Sequence, residues 1–192
     1  MDPTPDAVVD FWFGAEGSPE RGRAREAWFR KDPAFDASIR VRFGAAVEQA
    51  LAGGFEAWDA TPAGALARIV LLDQFTRNVF RDTPRAFAGD ARALAAAESA
   101  VARGFDRALD PVQRGFVYLP FEHAEDAAMQ HRSLALFGAL ARETGDDTLL
   151  VWARKHADVI FRFGRYPHRN AILGRASTPE EVAFLAEPGS RF

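Results

Sequence analysis

At Thr4-Pro5, Asp32-Pro33, Thr61-Pro62, Thr83-Pro84, Asp110-Pro111 and Thr178-Pro179 a short capping side chain stands immediately before a proline. That order marks a helix start. The side-chain oxygen accepts one of the orphan N–H groups of the first turn, and proline gives up only a donor that had no partner there. Thr178 with Glu181 adds the spacing of a capping box. Gly14, Gly53-Gly54, Gly104, Gly145 and Gly164 supply the matching stops. Between start and stop the apolar period is helical: Phe35, Ile39, Phe43, Val47 and Leu51 recur every fourth residue. No period-2 stretch bounded by turns appears. A chain punctuated in this way is all-α.

The marks predict helices over 5–13, 20–30, 33–52, 62–81, 84–103, 111–119, 121–144, 147–163 and 179–186, about eight or nine in all, with Pro120 separating two of them or kinking one. Short connections make neighbouring helices antiparallel, so the expected architecture is a stack of helical hairpins in a single domain over 1–192. The caps are spaced irregularly, by about 20 to 30 residues, and show no strict solenoid repeat.

The bulk numbers narrow the function classes. Apolar residues make up 48% and charged residues 27%, an ordinary globular composition with enough chain for a substantial core. The net charge is −3 and no block of Lys or Arg forms a phosphate-tracking stripe, so nucleic acid is not an expected partner. There is no Cys, which fits a reducing compartment. The acidic N-terminus lacks the basic start of a signal peptide, and runs such as Ile69 to Leu72 are far too short to span a bilayer. The expectation is a cytoplasmic protein that engages neither membrane nor nucleic acid; a homo-oligomer is compatible with it.

Three segments crowd charge into core-forming sequence: LDQFTRN (72–78), EHAED (122–126) and PHRNAILGR (167–175). A charge on an apolar face is costly unless it is paired, so each needs a reason. In the first, Asp73 and Arg77 lie one turn apart and read as an ion pair locking a central helix; the functional alternative has Gln74, Arg77 and Asn78 face a cleft. In the second, Glu122, Glu125 and Asp126, placed on the same helical arc as Ser133, repel one another and call for a nearby Arg; Arg77, Arg132, Arg169 and Arg175 are the candidate suppliers, Arg77 or Arg169 first among them. The third is a loop of about a dozen residues carrying His168, Arg169, Asn170 and Arg175, a length that is functional or specifically packed. It is expected to be ordered, with Ile172 and Leu173 buried, against the helices at 62–81 and 121–144. His131 and His156 read as surface or satisfied residues.

Familiar chemistries are not spelled out. The Glu-x-x-His spacing of di-iron bundles, a His-Glu-x-x-His pair and a calcium loop are all missing, so no metal is expected. Neither a nucleophile elbow nor a Gly-rich phosphate loop occurs, and no cofactor is implied.

VVDFWFG (8–14), WFRKDPAFD (28–36), LLDQFTRNVFRDTPRAFAGD (71–90), YLPFEHAEDAAMQHRSLALF (118–137) and FGRYPHRNAILGRASTPEEVAFL (163–185) together resemble the bacterial family known as domain of unknown function 924. The resemblance implies an all-helical fold like the tetratricopeptide repeat. It brings no established activity and no catalytic residues to transfer. Thr76 stands where that family usually has proline, which puts a continuous helix over 62–81 in question near Phe75. Ala124 stands where it usually has serine, which argues against a hydroxyl nucleophile there.

Three functional readings follow. The leading one is a binding module whose polar cleft gathers Asp73, Gln74, Arg77, Asn78, Glu122, His123, Glu125, Asp126, His168, Arg169, Asn170 and Arg175 around a small polar or anionic ligand or a peptide end. The second is a hydrolase or lyase using the same groups, with His123 or His168 as general base and Arg169 as electrostatic stabiliser. In the third the charges only specify packing. Whether the protein is an enzyme is left open by the sequence.

Overall fold

The computed structural model describes residues 3–28 and 30–190. Among them there are helices and no strands. The α-helices are α1 (Pro5–Phe13), α2 (Pro33–Leu51), α3 (Pro62–Ile69), α4 (Thr76–Val79), α5 (Asp90–Ala102), α6 (Pro111–His123), α7 (Ala127–Thr144), α8 (Thr148–Phe163) and α9 (Pro179–Leu185). Thr4, Asp32, Thr61 and Thr178 cap their helices with the side chain as expected, and Thr178 and Glu181 close a full capping box. Gly14, Gly53, Gly104, Gly145 and Gly164 all take positive φ at the stops.

The chain folds as two compact units. The first comprises 1–81 and 85–120, the second 82–84 and 121–192. The core of the first is aromatic: Trp12 and Phe13 of α1 meet Phe75, Phe116 and Trp28 edge-on or stacked, and Phe43 of α2 lies against Phe75. Ring contacts of this kind add about 0.5–1.5 kcal/mol each beyond the area they bury. In α2 the four-residue period delivers Ile39, Phe43 and Val47 to that core. The core of the second unit gathers Val159, Ile160 and Tyr166, with Phe163 and Phe184 against them. There α7 and α8 pack along each other, joined across the short Gly145–Asp147 connection.

Three expected helices differ. The stretch 20–30 holds only a single turn at Glu26–Trp28, and Phe29 lies outside the described residues. Gly17 and Gly22 take positive φ on the way in, and the segment's arginines cap α1 instead. Arg25 donates to the carbonyls of Phe11 and Trp12, and Arg21 to that of Gly14, meeting acceptors that a helix end leaves orphaned. The stretch 84–103 opens with a 3-10 turn at Pro84–Phe87, and α5 begins only at Asp90. Finally, α6 runs through Pro120 to His123, so the break falls at 124–126 and not at the proline.

The stretch 62–79 is continuous, yet its middle, Val70–Phe75, is a π-helix. The distortion ends where the sequence had put continuity in question. Thr76 Oγ1 donates to the Leu72 carbonyl at 2.7 Å, so the hydroxyl satisfies an acceptor that the widened turn releases.

Candidate functional site

The LDQFTRN segment resolves into ion pairs inside the first unit. Asp73, fully buried, lies 3.1 Å from Arg77 Nη1, and Gln74 Nε2 donates to Asp73 at 2.6 Å. Arg77 also makes a two-pronged pair with Asp90 at the start of α5, at 2.9 and 3.2 Å. Asn78 donates to buried Asp36 at 2.7 Å, and Arg81 grips the same carboxylate at 2.6 and 2.7 Å. Those partners hold the Asp36 carboxyl below its ordinary range despite burial. Asp73, Gln74, Arg77 and Asn78 thus all have structural partners, as in the packing reading.

In the second unit the acidic segment does not share one helical arc. Glu122 and His123 end α6, Glu125 lies in the connector, and Asp126 caps α7 by accepting from the Met129 N–H at 2.9 Å. The three carboxylates are thereby separated into three jobs. The end of α6 is held by buried Gln130 of α7, whose Nε2 donates to the carbonyls of Glu122 and Ala124, both at 2.8 Å. The Tyr166 hydroxyl also donates to the Glu122 carbonyl. Orphan carbonyls at a helix end are met from the next helix and from the loop, which fixes where Glu122 and His123 project.

Glu125 does contact an arginine from outside its own segment, and it is Arg175, one of the four candidate suppliers. The pair is bidentate, at 2.6 and 2.9 Å, and Glu125 also accepts from the Tyr166 N–H at 2.8 Å. Arg175 passes on to Asn170 Oδ1 at 2.9 Å, and Asn170 to Glu181 at 3.2 Å. Arg165 then takes Glu181 in a second bidentate pair, at 2.6 and 2.8 Å. This chain of charge-assisted bonds keeps Glu125 acidic and holds Glu181 down at about 2. The 165–177 loop is therefore an ordered scaffold tied to the 122–126 connector. Ile172 and Leu173 are only half-buried, because hydrogen bonds and not their apolar contacts pin it. Arg175→Met should lower stability by about 2 kcal/mol in urea denaturation, since it strands a partly buried carboxylate; an unchanged midpoint would show the pair to be ornamental.

What this scaffold encloses is a cluster that the charged segments only partly announced. His156 of α8 is 8% exposed and Glu122 3%. Their contact, His156 Nδ1 to Glu122 Oε1, is 3.1 Å, and the same nitrogen lies 3.0 Å from the Trp152 carbonyl. Two oxygens on Nδ1 favour the tautomer that carries its proton there, leaving Nε2 as the basic nitrogen. Around it the ring of His123 lies 6.3 Å away and that of Tyr166 5.6 Å; His168 is 5.5 Å from Tyr166. The Arg169 guanidinium covers the Tyr166 ring at 4.6 Å. Burial, with His123, His168 and Arg169 adding positive charge, pushes His156 down to about 3, against the hydrogen bond to the Trp152 carbonyl. Tyr166 is raised by burial.

His123, His168 and Arg169 were foreseen as members of a site and meet here. His156 was set aside, because an isolated histidine on a mixed helix face gives no signal of its carboxylate partner 34 residues earlier. Two buried polar atoms of α7, Gln130 Oε1 and Ser133 Oγ, make no hydrogen bond. Among the described residues no group of three or more His, Asp or Glu side chains is placed to hold a metal ion, and no helix is long and apolar enough to cross a membrane.

The chain is thus all-helical among its described residues, with a histidine-bearing cluster in the second unit beside an ion-paired loop. A solved structure of a protein of unknown function from Agrobacterium tumefaciens superposes with a TM-score of 0.83 at 40% identity, over 95% of this chain and 96% of that one. The chain belongs to the family described as bacterial protein of unknown function (DUF924), whose pattern it matches over residues 8–189. No curated protein matches it.

Proposed function

We propose that the second unit binds a small anionic molecule at the His123–His156–His168–Arg169 cluster. The observation that carries this reading is the run of rings His123–His156–Tyr166–His168, each within 6.3 Å of the next, with the Arg169 guanidinium over the buried tyrosine. Arg169 is cationic, and His123 and His168 can take up a proton, so positive charge is available to an anion that approaches this edge of the cluster. His123 and His168 are partly exposed, so a ligand can reach the cluster from solvent beside them.

Binding must be linked to protonation. An anion raises the pKa of each histidine it touches, so affinity rises as pH falls. Isothermal titration with phosphate and with citrate should show tighter binding at pH 6 than at pH 8. His123→Ala with His168→Ala should weaken it about tenfold or more while leaving the fold intact. Absence of binding at either pH, or binding indifferent to the double variant, would sink the proposal.

The Glu122–His156 contact favours a second reading, a hydrolase in which Glu122 orients the imidazole and Nε2 acts as general base. On that reading Glu122→Gln abolishes turnover of a chromogenic ester or phosphoester while anion binding persists. Equal turnover in both proteins rules it out.

A further inference from the structure

A cavity of about 300 Å³ in the first unit is lined by Glu56, Asp59, Arg68, Arg92, Ala95 and Ala96. We infer that it is a second binding site, for a small zwitterion that carries a carboxylate and an ammonium group, such as a free α-amino acid.

The argument begins with Arg68. It projects from α3, is only 6% exposed, and among the described residues makes a single hydrogen bond, from Nη1 to Asp59 Oδ2. The nearest acidic oxygen to its Nη2 is Glu56 Oε1, at 4.0 Å, too far for a hydrogen bond. Its Nε is buried with no partner at all. A guanidinium offers five donors in a fixed fork, and burying one with most of them unspent is costly unless something else accepts them. Asp59 is in the converse position. Its Oδ1 is buried without a donor, and burial raises its pKa above the ordinary carboxylate range. The wall of the cavity therefore holds unspent donor and acceptor capacity side by side.

Two further charges flank this pair. Arg92 of α5 is exposed and has no ion pair among the described residues, and Glu56 is also exposed. The lining thus carries two cations and two anions. A phosphate or dicarboxylate would meet Glu56 and Asp59 as like charges. A lone cation would meet Arg68 and Arg92. A zwitterion satisfies both pairs, its carboxylate between Arg68 Nη2 and Arg92 and its ammonium toward Asp59 and Glu56. The volume stands at the lower end of small-molecule pockets and suits a ligand of amino-acid size.

The floor is built rigidly. Gly64 of α3 approaches the Trp58 carbonyl so closely that a Cβ there would stand 2.1 Å from the oxygen. This holds the Glu56–Ala60 turn, and with it Asp59, against the helix that bears Arg68. Arg103 Nη1 anchors the Asp59 carbonyl at 2.5 Å.

The test is a titration of the full chain with each of the twenty free amino acids, followed by calorimetry and by amide chemical shifts. Acetate and methylammonium serve as half-ligand controls. At least one amino acid should bind in the millimolar range or tighter, shifting amides near Arg68 and Arg92, with both halves alone weaker by about tenfold or more. Arg92→Gln, a change at an exposed residue, should weaken it about tenfold, and Glu56→Gln similarly. The His123/His168 double variant should bind as the parent does, which separates this site from the anion cluster. No amino acid bound, acetate binding as tightly as the zwitterion, or affinity unchanged in Arg92→Gln would each overturn the assignment.

Discussion

Acidifying the protein from pH 7 to pH 4 is expected to remove roughly 3 kcal/mol of stability through His156 alone. The sign follows from its lowered pKa. In the unfolded chain the imidazole titrates near its ordinary value of 6.5, but in the native state only at about 3. Between those limits the unfolded state binds a proton that the native state refuses. Stability is therefore complete above about pH 6.5 and falls by up to about 1.4 kcal/mol per unit as the pH drops toward 3. The groups that face the ring enter this balance: the hydrogen bond to the Trp152 carbonyl opposes the shift, His123, His168 and Arg169 enlarge it, and the Glu122 carboxylate lies 3.1 Å from Nδ1. The carboxylates held down by arginine, Glu125 and Glu181, act in the same direction but later. They weaken the fold only below about pH 4.5, where the unfolded carboxyls begin to take up protons.

The onset of the loss therefore distinguishes the sources. Urea denaturation at closely spaced pH values should show stability declining already between pH 6.5 and 5. His156→Asn keeps a donor near the Trp152 carbonyl but cannot titrate, and should abolish the early decline while leaving the late one. Stability that stays level down to pH 5 in the parent protein would refute the buried neutral imidazole. Saturating phosphate should also flatten the early decline, because a bound anion lets the cluster accept its protons in the native state.

The helices were legible because capping is local. Thr4, Asp32, Thr61 and Thr178 act on N–H groups within three residues, so their role is written in adjacent letters. The need for a counter-charge near the acidic segment was equally legible, since three carboxylates in five residues cannot stand alone. Arg175 stood among four candidate suppliers, and the choice between them was not legible. Arg175 reaches Glu125 across 50 residues because the loop turns through Pro167–Arg169 and Asn170 holds the guanidinium by its Nε. Pro120 misled for a related reason. Its missing donor was expected to separate two helices or kink one, yet side chains from elsewhere, Gln130 and Tyr166, carry the carbonyl ends of α6 three residues further. The Glu122–His156 contact joins the last turn of α6 to the middle of α8, and no spacing rule connects them. Segment chemistry marked charges that needed partners; the long-range pairing decided which partners they met.

The same limit applies to the centre of the first unit, where one small change should have an outsized effect. Gly89→Ala is expected to cost about 3 kcal/mol or more, near the upper end of what overpacking a buried site produces. The conformation of Gly89 is not the reason, since its φ of −90° is open to any residue. The reason is contact. A Cβ at this position would stand 2.1 Å from the Leu72 carbonyl oxygen and 3.1 Å from its Cα. Leu72 belongs to the π-helix, and its carbonyl already accepts from Thr76 Oγ1. Backbone cannot rotate aside as a side chain can, so α5 would have to retreat from the π-helix. That movement would also loosen the pair between Asp90 of α5 and Arg77 of α4, which continues directly from the π-helix. Gly44 provides the comparison. It lies within α2, and a Cβ there would meet only the flexible Arg40 side chain, at 3.8 Å. Gly44→Ala should raise stability by about 0.5–1 kcal/mol, as expected when helix propensity alone is at stake. Urea denaturation of both variants beside the parent protein measures the contrast. Opposite signs are expected from the same added methyl group; a Gly89→Ala protein within about 1 kcal/mol of its parent would show that α5 and the π-helix are free to separate.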